Sequence, residues 1–132
     1  MAKALGVEIV VLDPDEVRLT APLSLNHNHL GTAFGGSLGA MMILACYAWL
    51  FNRMGVEGKN CHVLVQSAHT EYLKPVTGDL LARCAPVNSI EIEQALRQFE
   101  RKGTGRVTLH SEMLSPTGEI LCRFYGEFVA KA

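Results

Sequence analysis

Neither sign of charge dominates these 132 residues: twelve Lys and Arg stand against thirteen Asp and Glu, for a net charge of -1. That balance leaves no long-range field to draw in DNA or RNA, so a nucleic-acid partner is not expected. Cysteine is scarce too. Cys46, Cys61, Cys84 and Cys122 lie far apart, form no C-x-x-C and sit among apolar neighbours, which argues against a disulfide framework and fits buried free thiols in a reducing compartment. The first residues carry one cation, Lys3, and no continuous apolar stretch before Glu8. They do not read as a signal peptide, and a cytoplasmic address is the expectation. No linker, repeat or low-complexity tract divides the chain, whose length suits one domain over residues 1–132.

Acid is what the middle of the chain lacks: no Asp or Glu occurs from Gly35 to Met54, and Leu38 to Phe51 carries no charge at all. About fourteen residues of helix fall short of the ~20 needed to cross a bilayer, so a buried helix is expected and no membrane partner. A helix apolar on every side must be enclosed by protein, which so short a chain achieves by wrapping one sheet around it. The flanking segments supply the strands. Val7 to Leu12 and Val17 to Ala21 flank Asp13-Pro14-Asp15 as a hairpin, and His62 to Leu73 with Leu80 to Val87 flank Lys74 to Gly78 as a second. Arg106 to Leu114 and Glu119 to Val129 flank Ser115-Pro116-Thr117-Gly118 as a third. The long helix is expected to take Gly36 or Ser37 as its N-cap and to stop at an αL Gly55. Ile92, Leu96 and Phe99 recur at helical spacing between Ile90 and Arg101, predicting a short amphipathic helix. The fold class that results is α+β, an antiparallel curved sheet of five to six strands around one long central helix.

The run Asn28-His29-Leu30-Gly31-Thr32-Ala33-Phe34-Gly35-Gly36-Ser37, the apolar helix after it, and Tyr72-Leu73-Lys74-Pro75-Val76-Thr77-Gly78-Asp79 resemble the hot-dog-fold acyl-CoA thioesterases. The wording of the glycine-rich motif most resembles the thioesterase-like domain found alone or behind an acetyltransferase domain in YiiD-type bacterial proteins. The resemblance covers nearly the whole chain. It implies a hot-dog fold, a homodimer or dimer of dimers whose sheets join edge to edge, and an acyl-CoA or acyl-carrier-protein thioester as substrate. It implies no cofactor beyond the CoA that belongs to the substrate.

Gly35 and Gly36 precede the helix, where amide N–H groups lack intrahelical acceptors and the dipole is positive. A thioester carbonyl docked there is stabilised as negative charge develops; paired glycines that merely let the helix pack closely are the plainer alternative. Asn28 stands where related thioesterases hold the attacking water, and its alternative is an Asx turn. Phe34 replaces the histidine usual before Gly-Gly and is expected to line the acyl pocket, with Ser37 and Tyr72 bordering the substrate. Ser37 lacks an assignable base and orienter for a nucleophile's role and better fits an N-cap. Many relatives carry a carboxylate on the helix, near Ile43 here, or at the helix start, to activate water or attack as nucleophile. Its absence leaves His29, Glu71 or a group from a second subunit to take the proton. His69 and Glu71, two apart, share one strand face, and a pair on the outer sheet surface is the duller account. His27-x-His29 offers too few ligands for zinc, so no metal is expected. Tyr47, Trp49 and Phe51 belong to the core or border the acyl tunnel. Arg101, Lys102 and Arg106 form a basic turn that in similar thioesterases lies near the nucleotide end of CoA, an ordinary solvated turn being the alternative.

Thioester hydrolysis is the leading expectation. A non-hydrolytic acyl-thioester binding module, partnering an acetyltransferase, is the alternative that the acid-free helix keeps open. Hydratase chemistry would need a histidine and a carboxylate that this helix does not offer. A purely structural dimer is the last option.

Overall fold

Alternating burial marks the strands that floor the core. In β2 (Val17–Ala21) the residues Val17, Leu19 and Ala21 turn inward and are buried. In β5 (Thr104–Leu114) and β6 (Ile120–Lys131) the inward sets are Val107, Leu109, Met113 and Cys122, Phe124, Phe128, Ala130. With β1 (Glu8–Leu12), β3 (His62–Tyr72) and β4 (Leu80–Cys84) they form one antiparallel sheet in the order β1-β2-β4-β5-β6-β3. The structure, a computed structural model, describes residues 2–56, 61–86 and 89–132. A short turn of helix, α1 (Ala2–Leu5), precedes the sheet.

Helix α2 (Gly35–Val56) runs across the sheet's inner face. It has 22 residues, about 33 Å at 1.5 Å per residue, so its length alone would let it cross a bilayer, contrary to the shorter estimate from the uncharged run. Its packing is that of a core helix on one side. Leu38, Met41, Met42, Ala45, Cys46, Trp49, Leu50 and Met54 are buried at alternating steps of one and three or four, the spacing of a single helical face. The opposite flank is not enclosed as expected: Tyr47 and Phe51 are exposed and stack on each other with centroids 6.0 Å apart. The sheet covers one side of α2 and leaves an apolar flank open.

Three further expectations are corrected. β3 and β4 are consecutive but do not pair; β3 pairs with β6 at the sheet's edge and β4 inserts between β2 and β5. The connection is pulled across the sheet end because the amides of Leu73 and Lys74 both donate to the Leu121 carbonyl, while the Val76 carbonyl accepts from Ala33. β4 also ends at Cys84, before the predicted Val87, which itself lies outside the described residues. Its ladder with β5 spans only Ala82↔Met113 and Arg83↔Glu112. Helix α3 (Ser89–Lys102) fills the gap, bonding the Thr108 amide through Glu91 Oε1 at 3.1 Å. Gly105 permits this, since a Cβ there would strike the Ala95 carbonyl. α3 ends on Gly103, whose φ of 74° and 2.8 Å bond to the Phe99 carbonyl make a left-handed cap. Gly55 does no such thing; it lies within α2, which continues to Val56.

Candidate active site at the start of helix α2

The loop before α2 is built as a knot. Asn28 accepts at Oδ1 from the amides of Leu30 (2.8 Å) and Thr32 (3.2 Å) and donates from Nδ2 to Thr32 Oγ1 at 2.8 Å. Its own amide bonds the Thr32 carbonyl at 2.7 Å, and Gly31 turns the chain with φ at 81°. This is the Asx-turn alternative; both Oδ1 contacts are used inside the loop, and one Nδ2 hydrogen is left over. Beneath the knot the buried Asn26 donates to the carbonyls of Leu5 and Pro22, both at 2.8 Å. The loop is thereby tied to the N-terminal segment. Ala33 bonds the Val76 carbonyl at 2.9 Å, fastening it also to the β3–β4 connection.

The helix opens two or three residues earlier than predicted. The Phe34 carbonyl accepts from both Ser37 (3.0 Å) and Leu38 (3.1 Å), so Phe34 occupies the N-cap position in place of Gly36 or Ser37. Phe34 can serve without a polar side chain because the cap's work here is done by its backbone. Ser37 is buried within the first turn. The amides of Gly35 and Gly36 then have no helical carbonyl behind them, and they carry the positive end of a 22-residue dipole. Gly36 is exposed and Gly35 half-buried, so these amides lie at an accessible surface.

Two aromatic side chains frame that surface. The exposed Phe34 ring folds back over Gly36 and occupies the space a Cβ there would take. From the other side Tyr72, on the inner face of β3, donates its hydroxyl to the Gly35 carbonyl at 3.0 Å. Its ring lies 3.6 Å from where a Gly35 Cβ would stand, and its hydroxyl 3.5 Å from that of Gly39. Farther along α2, Tyr47 and Phe51 are exposed on the open flank, and Val65 is exposed on β3.

The structure brings Asn28, Phe34, Gly35, Gly36, Ser37 and Tyr72 to this one end, while other candidates go elsewhere. His29 is exposed on the same loop. Glu71 points to the opposite face of β3 from Tyr72, so it does not enter this cleft from its own chain. His69 is on that outer face as well, its ring stacked 4.6 Å from Tyr125, with His110 5.9 Å away on the other side. Arg101 and Lys102 end α3, and Arg106 on β5 donates to Gln66 Oε1 at 3.1 Å. This basic end adjoins the last turns of α2, where Leu50 and Met54 face Gly105 and Val107, so α2's length separates it from Gly36. Among the described residues no three His, Cys, Asp or Glu side chains gather as a metal site. The Tyr72–Gly35 bond and the roles of Asn26 and Thr32 were not foreseen. Asn-x-x-x-Thr was a visible signal for the knot; nothing local marks the others.

Electrostatic tuning lies away from the site. The Arg83 guanidinium, 2.7 Å from Glu16 Oε2, holds that carboxyl below its usual range, helped by Arg18 at 3.2 Å and opposed by partial burial. In the core the Cys84 thiol is pushed up by its hydrogen bond with Cys46 and by burial.

A family model described as "Putative thioesterase (yiiD_Cterm)" matches residues 1–132. Among solved structures, a protein of unknown function from Chlorobaculum tepidum TLS is 30% identical with a TM-score of 0.92, covering 98% of this chain and 85% of that one. A "putative thioesterase" from Shewanella oneidensis is 21% identical, TM-score 0.89, covering 99% and 87%. A thioesterase from Haemophilus influenzae is 16% identical, TM-score 0.75, covering 98% and 82%. A comparison with curated proteins finds no match. The last two likenesses establish the hot-dog fold, a six-stranded antiparallel sheet curled on one long helix.

Proposed function

Because the chain belongs to the YiiD_C thioesterase family over its whole length, we propose that it hydrolyses an acyl-CoA or acyl-carrier-protein thioester at the start of α2. The observation that carries this reading is the exposed Gly36 amide, unpartnered by the helix and flanked by Phe34 and Tyr72. A thioester oxygen docked on it gains a backbone donor and the helix dipole as charge builds in the transition state, where one such donor is worth ~10²–10³ in rate. Water adds to the carbonyl carbon, the C–S bond breaks, and the CoA thiolate leaves and is protonated. Asn28 acts chiefly by holding the loop in shape, with its spare Nδ2 hydrogen available to the water. We assign the water's proton to His29, exposed on that loop. Phe34, with the exposed Tyr47 and Phe51 farther along α2, offers apolar surface to the acyl chain.

A second copy completes the arrangement. β3 is an edge strand with exposed Leu64 and Val65, and the open flank of α2 lies beside it, so antiparallel pairing of two β3 strands covers both. That pairing reverses the sheet ends. Arg101 and Lys102 at the end of the partner's α3 are then the cations we assign to the CoA phosphates, Arg106 being turned to the outer face of the sheet with Glu71.

One observation favours a binding module instead: the absence of acid from Gly35 to Met54, with Glu71 turned to the other face. Steady-state hydrolysis of acetyl-, octanoyl- and palmitoyl-CoA, set beside calorimetric binding of their non-hydrolysable analogues, separates the two. Turnover supports the enzyme; binding without turnover assigns the module.

A further inference from the structure

Tyr72 touches the candidate oxyanion site indirectly, through a peptide bond. Its hydroxyl donates to the carbonyl of Gly35 at 3.0 Å. The Gly35 carbonyl and the Gly36 N–H are the two ends of a single planar amide, and in a trans peptide they point in opposite directions. A donor on the oxygen draws electron density from the nitrogen through the same resonance that keeps the amide flat. The N–H at the far end becomes a stronger donor, a cooperative effect of about 10–30% per bond.

The surroundings suit this use. Tyr72 is exposed by 55%, so nothing forces its hydroxyl to find a partner; water would serve it equally. The ring nonetheless lies flat against backbone. A Cβ at Gly35 or Gly39, one turn apart, would stand 3.6 and 3.5 Å from the Tyr72 side chain, ordinary van der Waals contact, so the ring rests on this flank without strain. β3 carries the residue as its last, with the bond from the Leu73 amide to the Leu121 carbonyl fixing the strand end beside the helix start.

We infer that Tyr72 is a positioning residue that polarises and aims the Gly36 N–H by hydrogen bonding to the carbonyl of the same peptide. The inference rests on the reading of that amide as the site of the thioester carbonyl, and it concerns kcat more than substrate binding. A donor strengthened at Gly36 acts most on the oxygen that gains charge in the transition state.

Backbone NMR of the intact chain and hydrolysis kinetics test it together, using Tyr72→Phe and incorporation of 3-fluorotyrosine at 72, at a pH where the fluorinated phenol keeps its proton. Phenylalanine preserves the ring and its ring current, so a change at Gly36 isolates the hydroxyl. The expected result for Tyr72→Phe is an upfield move of the Gly36 amide proton. On the fastest of acetyl-, octanoyl- and palmitoyl-CoA, kcat falls about tenfold and KM stays within about twofold. The more acidic fluorotyrosine moves resonance and kcat the other way. A Gly36 resonance indifferent to the hydroxyl overturns the inference, whatever the hydrolysis shows. So does a resonance that moves while kcat does not. If the wild-type chain hydrolyses none of the three esters, the proposed function fails, and the polarisation is decided by the resonance alone.

Discussion

The Phe34 ring defines what Gly36 can tolerate. A methyl group there meets only the Phe34 ring, the movable end of a side chain, and not backbone. Gly36→Ala is therefore expected to fold, to displace Phe34 and to lower turnover about tenfold. Phe34→Ala in the same chain should restore part of it, and the double-mutant cycle in kcat/KM measures that coupling. Asn28 provides a second case. Asn28→Ala removes three loop hydrogen bonds and is expected to cut turnover at least about tenfold with the thermal transition nearly unchanged, whereas Asn28→Asp keeps both Oδ1 acceptor contacts and retains more activity. Unchanged turnover in Asn28→Ala would remove the loop from the mechanism. The glycine pair and the asparagine were legible in the sequence because each acts within a few residues of itself. The Tyr72–Gly35 contact, 37 residues apart, was not, because its bond depends on which strand face passes over the helix.

Among the elements, α3 and β4 show where local pattern stops being informative. The apolar spacing of Ile92, Leu96 and Phe99 placed α3 correctly, yet its task, closing a gap between two strands, follows only from the brevity of β4. Gly105→Ala presses a methyl group into the Ala95 carbonyl and should cost about 1–3 kcal/mol in urea unfolding, since backbone and not a side chain must give way. The failed β3–β4 hairpin has the same origin: Lys74 to Gly78 were read as a hairpin turn but form an irregular connection across the sheet end, whose course the carbonyl of Leu121 and the amide of Ala33 decide. At the outer sheet surface Glu16 links β2 to β4 through Arg18 and Arg83. Its folded carboxyl titrates lower than the unfolded one, so its stabilisation is present above the unfolded value and disappears as pH falls through the folded one. Glu16→Gln should thus cost on the order of 1 kcal/mol near neutrality and almost nothing in strong acid. An equal cost in strong acid would show that the carboxylate's charge is not what matters.

Over the whole molecule, the sheet and the helix are mismatched in coverage. Six strands bury one face of α2 and leave Tyr47 and Phe51 exposed beside an unpaired edge strand. The uncharged run predicted a fully enclosed helix, and the open flank is the part of that prediction a single chain does not satisfy. Val65→Asp together with Phe51→Glu is expected to give a monomer by analytical ultracentrifugation and to abolish turnover, because the site then loses the partner's basic end; a wild-type chain that sediments as a monomer contradicts the paired arrangement. The fold's placement of a bare helix start at an accessible surface is the claim on which the rest depends. A crystal structure with an acyl-CoA analogue in which a methylene replaces the thioester sulfur tests it most directly. The ketone oxygen should lie about 3 Å from the Gly36 nitrogen with the chain running toward Phe51; a ketone bound elsewhere, with that amide facing only water, would contradict the account.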